Sequence, residues 1–321
     1  MDPSSVSAHT SKLLQKLDTA AAEQLEEFRD DESGRDFVTR TKSTVEKYIR
    51  AYAAGTPFFD REILADLSRQ IDAVQAGEMG GGAKHGEVRI LDPMGGAEIK
   101  PLVSPYKEAE EESQFGFMVE ARKPFTIGHG SAAPPSGWAL EDLQAAFQVL
   151  QAEWAQSDTC KSLVAILESA QLSTPIYKIV CFGLGRLDAW QKTTREELHE
   201  SIKRSATQYA AALTMEEVLF KRAEIGQRLS CYTQDPVHTG VEKQLLTSLG
   251  FTVLADPKGF LEVDSNILVF SVTPNVPVRQ ILVDVQWPAA MVWDTVDPNR
   301  EDPDANYRRV DRNDGSVMMI S

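Results

Sequence analysis

The chain has 321 residues, 42% of them hydrophobic, and a formal net charge of −15 at pH 7. This composition is typical of a globular protein with a substantial core, and the acidic charge argues against general binding to nucleic-acid phosphates or anionic membranes. Three cysteines without paired spacing, no signal-like start and no apolar run of membrane-spanning length predict a cytoplasmic or nuclear protein without disulfides.

The first 76 residues (1–76) are predicted to form a helical region. Apolar residues recur every three or four positions over 11–29. Two further helices are predicted, one closed by Gly55-Thr-Pro57 and one opening near Asp60.

Residues 77–137 are predicted as an irregular segment. The glycine-rich stretch 77–86 has the glycine spacing of a phosphate-binding loop, but it lacks both a preceding strand and a Lys-Ser/Thr pair. A flexible linker is therefore predicted there. A weak hairpin is expected around 94–96, a strand at 115–119 and a loop at 128–137.

Strand and helix signals alternate within 138–296, after an amphipathic helix at 138–156 and a second one capped by Ser157 or Asp158. The apolar run Ile179–Phe182 stops at two glycines, as a buried parallel strand does before a tight turn. Later strands are predicted at 229–233, 251–254, 267–272 and 290–293, with helices from 194, 239 and 278. The pattern predicts an α/β fold, a Rossmann-like parallel sheet with helices on both faces. The polar tail 297–321 is predicted to contain a hairpin.

Six residues near the predicted carboxyl ends of the strands are candidates for a ligand site, because ligands of such sheets bind there. They are Gly183, Gly185, Asp235, His238, Thr273 and Asn275. The glycine amides could approach a phosphate or a carboxylate, Asp235 could accept bonds from ribose hydroxyls, and His238 could act as a general base. The alternative is structural: tight turns at the glycines, turn chemistry beside the prolines, and packing of the histidine near a helix start.

The sequence does not fix the ligand of this candidate site. Asp188 stands where the dinucleotide fingerprint has its third glycine, so an adenosyl compound such as S-adenosylmethionine is expected in preference to NAD, with other nucleotides left open. No metal site is predicted, since Lys203 rather than a histidine follows His199 by four positions.

Two phrases resemble the sensitivity-to-red-light-reduced (SRR-like) domain family. They are Lys178-Ile-Val-Cys-Phe-Gly-Leu-Gly185 and Tyr232-Thr-Gln-Asp-Pro236, the second followed by a helix that closes in Leu249-Gly250. An apolar strand ending near Thr273-Pro274 and the tryptophan at Trp287 also fall where that family has them. The resemblance covers roughly 175–295 and implies a Rossmann-like domain with a regulatory role, linked in that family to light and clock signalling, haem metabolism and microtubules.

The chain departs from this family at two positions. The family has Met-Pro-His-Cys after its fourth strand, where this sequence reads Thr273-Pro-Asn-Val276, and His238 replaces a phenylalanine near the Asp-Pro pair. No catalytic residue is therefore carried over from the family.

Three functions are compatible with these features. The first is a regulatory protein that binds an adenosyl or nucleotide-like ligand and acts through protein partners, without nucleic acid or membrane. The second is an S-adenosylmethionine-dependent transferase, whose chemistry depends mainly on proximity and needs no conspicuous motif. The third is a ligand-free interaction scaffold that uses the N-terminal helices as its partner surface.

Overall fold

A computed structural model describes residues 3–57, 59–76, 87–92, 96–101, 117–120, 126–129, 137–172, 174–188, 194–223, 228–235, 238–272, 274, 278–293, 308–311 and 317–320. The helices are α1 (Pro3–Glu27), α2 (Glu32–Ala53), α3 (Arg61–Gln75), α4 (Leu140–Gln156), α5 (Asp158–Ser169), α6 (Arg195–Ala223), α7 (Gly240–Ser248), α8 (Lys258–Leu261) and α9 (Val278–Val285). The strands are β1 (Glu87–Asp92), β2 (Gly96–Pro101), β3 (Phe117–Glu120), β4 (Thr126–His129), β5 (Lys178–Phe182), β6 (Ser230–Gln234), β7 (Phe251–Leu254), β8 (Ile267–Ser271), β9 (Ala290–Val292), β10 (Arg308–Asp311) and β11 (Val317–Ile320).

Five parallel strands form the central sheet in the order β7-β6-β5-β8-β9. The apolar run that ends in two glycines is β5, in the middle of this sheet, where Cys181 is in register with Thr233 on β6 and Phe270 on β8. The chain moves outward from β5 to β7 and then returns to the other side of β5 as β8. Strand order therefore reverses between β5 and β8, as the sequence predicts for a Rossmann-like sheet.

Helices cover both faces of the sheet, which confirms the predicted fold class. Successive residues of a strand point to opposite faces, so Ile179 and Cys181 belong to one hydrophobic core and Val180 and Phe182 to the other. Residues of α4, α5, α6 and α7 contribute to the first core. The second core is built with residues of α3, α8 and α9.

Helix α3 fills part of the second core although it precedes the sheet by about a hundred residues. Leu64, Leu67 and Ile71 are buried there. Polar contacts add to this packing: the Arg61 guanidinium donates to the Leu261 carbonyl at 2.7 Å, and Lys258 pairs with Asp72 at 2.7 Å. The predicted division into 1–76, 77–137, 138–296 and 297–321 stays a prediction, but α3 packs as a layer of the sheet domain.

Helices α1 and α2 form an antiparallel hairpin, here called the N-terminal hairpin. Lys42 on α2 pairs with Asp18 on α1 at 2.7 Å. The side chain of Asp31 caps α2 by accepting from the Ser33 amide. Among the side chains described on these two helices, Ala21 and Val38 are the buried ones, so most of the hairpin surface is exposed.

Three two-stranded antiparallel hairpins complete the described chain: β1–β2, β3–β4 and β10–β11. The first and last confirm the hairpins predicted around 94–96 and in the tail. The loop predicted over 128–137 is partly wrong, because Gly128 and His129 lie in β4, where Ile127 pairs with Val119. The stretch 77–86 lies outside the described residues. Among the helices of the structure, none combines the length and hydropathy of a membrane-spanning segment within the parts described.

Candidate functional site

The loop that follows β5 turns through two glycines with positive φ angles, 64° at Gly183 and 83° at Gly185. A Cβ atom on Gly183 would lie 3.3 Å from the Cβ of Pro274, and one on Gly185 would lie 2.5 Å from the Ser205 hydroxyl. Side-chain-bearing residues are strained at such φ angles, and an added Cβ at either position would require a neighbouring atom to shift. The turn therefore needs glycine at both positions, as the spacing of the two residues predicts.

The amides of this loop donate to acceptors of the chain itself. Gly183 continues the sheet by donating to the Gln234 carbonyl at 3.0 Å. The Gly185 amide donates to the Asp235 carboxylate at 2.8 Å. Further along the loop, the amides of Leu187 and Asp188 both donate to the Glu242 carboxylate, the Asp188 amide at 3.2 Å. Two protein carboxylates thus stand where a phosphate-binding loop would hold its anion.

Glu242 is buried and joins the loop to helix α7. Its carboxylate also accepts from the Thr239 amide at 2.7 Å and closes the capping box at the start of α7. Burial and the nearby Asp188 carboxylate raise the pKa of Glu242 to about 7, while its hydrogen bonds act in the opposite direction. The capping-box pattern predicts the helix start, but not the contact with a loop 55 residues earlier in the sequence.

Asp188 belongs to the same buried group. Its carboxylate forms an ion pair with Arg186 and accepts from the Thr239 hydroxyl at 3.2 Å. The Arg186 charge offsets one of the three carboxylates that surround the loop, those of Asp188, Asp235 and Glu242. The loop is therefore held in an acidic environment rather than a basic one.

His238 is buried at the carboxyl end of β6 and is bound by Tyr209 of α6. The Tyr209 hydroxyl lies 2.7 Å from His238 Nε2 and 3.4 Å from the Thr233 hydroxyl. Burial lowers the pKa of His238, with the Asp235 charge opposing that shift, and it raises the pKa of Tyr209 well above its ordinary value. His238 Nδ1 is buried without a hydrogen-bond partner among the described residues.

The structure brings four of the six predicted site residues together. Gly183 lies beside Pro274, just after β8, and Gly185 lies beside Ser205 of α6. The Gly185 amide donates to the Asp235 carboxylate, and the His238 amide donates to the Asp235 carbonyl at 3.4 Å. The remaining two, Thr273 and Asn275, lie outside the described residues. Ligand binding by these residues stays a prediction.

Several residues of this cluster, among them Tyr209, Glu242 and Asp188, are absent from the site predicted by sequence. Tyr209 lies on the apolar face of α6, and its helical spacing is the same as that of a core residue. Sequence spacing alone therefore offers no signal that separates it from its apolar neighbours.

The cysteines and the other metal-ligand side chains form no further site in the described chain. Cys160, Cys181 and Cys231 are free and buried, and burial raises the pKa of the Cys231 thiol to about 12. Such thiols behave as small hydrophobic side chains, as predicted. The described ranges contain no group of three His, Cys, Asp or Glu residues able to hold a metal ion.

Comparison with known proteins supports the resemblance in the sequence. The family model of the SRR1 domain matches residues 150–314, just over half of the chain, and this match spans the sheet from β5 to β9 and the strand β10. No similar curated protein and no similar solved structure was found. The match confirms the predicted SRR-like domain, and the chain belongs to the SRR1 domain family.

Proposed function

We propose that this protein is a regulatory SRR1-domain protein that binds an adenosyl compound at the carboxyl ends of β5 and β6 and acts through protein partners in the cytoplasm or nucleus. The pairing of the loop amides with carboxylates is the observation that supports this class of ligand. A phosphate group at Gly185 would face the Asp235 carboxylate, whose charge repels it. A nucleoside or a sulfonium cation meets no such repulsion, and carboxylate oxygens accept bonds from ribose hydroxyls.

His238 adds a second reason to expect a ligand here. A buried polar atom without a partner is costly, and native structures usually satisfy it with protein, water or ligand. His238 Nδ1 is such an atom within the described chain, and Asp235 is close enough to influence the histidine's pKa. The two side chains thus form a polar pair at one end of the sheet, next to the glycine turn.

Calorimetric titration tests the ligand class. We expect S-adenosylhomocysteine to bind, and ADP and NAD to bind at least tenfold more weakly, by roughly the cost of one unfavourable charge contact. Asp235→Asn keeps the side-chain size and removes the charge, so it should weaken S-adenosylhomocysteine binding. Asp158→Asn, which alters an exposed carboxylate on α5, is the matched control and should bind normally. Tighter binding of ADP than of S-adenosylhomocysteine would contradict the proposal.

The ligand-free scaffold is the second candidate, and one observation favours it. The amides of Gly183, Gly185, Leu187 and Asp188 all donate to acceptors of the chain itself, so these four are satisfied without a ligand. Absence of binding to every nucleoside and nucleotide tested would support the scaffold. Consumption of S-adenosylmethionine by the purified protein would instead support a transferase.

A further inference from the structure

The N-terminal hairpin exposes an apolar stripe on α2. Phe37, Thr41, Val45, Tyr48 and Tyr52 recur every three or four positions and therefore lie on one side of this helix. Phe37 is 63% exposed, Val45 37% and Tyr52 48%. Isolated exposed apolar residues are ordinary, but a contiguous stripe of aromatic and aliphatic side chains marks an interaction surface.

Helix α1 contributes to the same side of the hairpin. Ala21 and Val38 are buried where the two helices pack on each other, and the ion pair between Asp18 and Lys42 lies on one side of this contact. By helical geometry the stripe on α2 lies on the opposite side, and so does Leu13 of α1, which is 38% exposed. We call the surface formed by Leu13, Phe37 and Val45 the hairpin face. Tyr52, at the far end of the stripe, lies near the Asp284 carboxylate of α9. The hairpin face contains three of the nine large apolar side chains exposed in the described chain.

A stripe of charged residues runs along α1. Lys12, Lys16, Glu23 and Glu27 also recur at helical spacing and border the hairpin face beside Leu13. All four are exposed, and none forms an ion pair in the structure as described, unlike Asp18. The charges are segregated along the helix, with the two lysines closer to its N-terminus and the two glutamates closer to its C-terminus.

We propose that the hairpin face binds the hairpin face of a second copy of this chain, in an antiparallel arrangement about a two-fold axis. Antiparallel packing places the lysine half of one α1 beside the glutamate half of the other. The interface is then self-complementary, as a two-fold axis requires. The four helices form a bundle, in which each hairpin buries the apolar side chains that it leaves exposed alone. This dimer is independent of ligand binding at the sheet.

Sedimentation equilibrium of the full chain tests the dimer. We expect a mass of twice 35.5 kDa for the unaltered protein. Phe37→Glu combined with Val45→Glu should give monomers with unchanged helix content by circular dichroism. Ile166→Glu, at a 63% exposed position on α5, is the matched control and should remain dimeric. A monomeric unaltered protein, or a dimer that survives both glutamates, would overturn the proposal.

Charge reversal distinguishes a second copy from any other partner. Lys12→Glu with Lys16→Glu makes the α1 stripe wholly acidic, and Glu23→Lys with Glu27→Lys makes it wholly basic. Each double variant alone should dimerise roughly tenfold more weakly or worse, because like charges meet across the axis. An equimolar mixture of the two should form a heterodimer, and the fourfold variant should dimerise again. Failure of both rescues, with the variants folded, would exclude the antiparallel arrangement.

Discussion

The side chain of His238 is held by a hydrogen bond between its Nε2 atom and the Tyr209 hydroxyl. Tyr209→Phe removes the hydroxyl, which leaves Nε2 of the buried histidine, like Nδ1, without a hydrogen-bond partner among the described residues. We expect a loss of about 1–3 kcal/mol in the free energy of unfolding, measured by urea denaturation. Tyr177→Phe removes the same atom from a side chain that is 46% exposed and should change stability by less than about 0.5 kcal/mol. Equal effects of the two variants would show that the buried contact contributes nothing.

Glu242 gives the stability a pH dependence of defined sign. Its pKa is about 7 in the folded protein and 4.5 ordinarily, so the folded state binds more protons between these values. The stabilising effect is fully present below pH 4.5 and is lost as the pH rises through 7. Between these two pH limits, the contribution of Glu242 to the free energy of unfolding changes by about 3 kcal/mol. His238 acts in the opposite direction, because its lowered pKa gives stability above pH 6.5 that is lost as the pH falls.

The variant Glu242→Gln separates these two contributions. It removes the carboxylate titration and leaves His238 in place, so unfolding free energies of both proteins should be measured from pH 4.5 to 8. As the pH rises, we expect the free energy of unfolding of the variant to increase relative to that of the unaltered protein. A pH-independent difference would contradict the raised pKa of Glu242.

Within the elements that form the site, the turn after β5 combines two constraints at Gly185. A side chain there would adopt a strained positive φ and would also meet the Ser205 hydroxyl at 2.5 Å. Gly250, at the end of α7, has a φ of 94° but no atom within 4 Å of the added Cβ. We expect Gly250→Ala to cost about 1 kcal/mol from φ alone, and Gly185→Ala to cost clearly more, in thermal or urea unfolding. If adding Ser205→Ala restores part of the stability lost in Gly185→Ala, the additional loss comes from the steric contact with Ser205.

The elements themselves are largely predictable from local sequence, because their signals are local. The apolar run before Gly183, the capping box Thr239-x-x-Glu242 and the periodicity of α4 each depend on residues a few positions apart. The site was predictable only where it coincides with such a signal, at the two glycines and at Asp235 and His238. The contacts from Glu242 to Leu187 and from Tyr209 to His238 join residues 55 and 29 positions apart, and no local pattern encodes them.

Considered as a whole molecule, the protein uses its three N-terminal helices in two ways. The periodicity of each helix shows that it has an apolar face, but it does not show what that face packs against. Helix α3 shares one hydrophobic core with Val180 and Phe182 of the central strand. Helices α1 and α2 pack chiefly on each other. For this reason a sequence boundary at residue 76 separates a helix from the core to which it contributes.

Truncation of the full chain distinguishes these roles. Removal of 1–54 deletes the N-terminal hairpin and keeps α3 with Phe59, whose amide donates to the Asp284 carboxylate at 3.1 Å. Removal of 1–76 also deletes Phe59, Leu64, Leu67 and Ile71, all buried in the second core. At about 2 kcal/mol for each buried side chain, the loss is roughly 8 kcal/mol, which is comparable to the whole stability of a typical domain.

We therefore expect the chain that begins at residue 55 to unfold cooperatively, as a monomer, and the chain that begins at residue 77 to lack a cooperative transition. Circular dichroism during thermal unfolding measures the transition, and sedimentation equilibrium measures the mass. Leu64→Ala in the full chain provides a milder test of the same packing and should cost about 2–5 kcal/mol while the dimer persists. Because Leu64 belongs to the sheet core and Phe37 to the hairpin face, substitutions at these two positions should affect stability and association separately. A cooperative transition in the chain that begins at residue 77 would show that the sheet does not need α3.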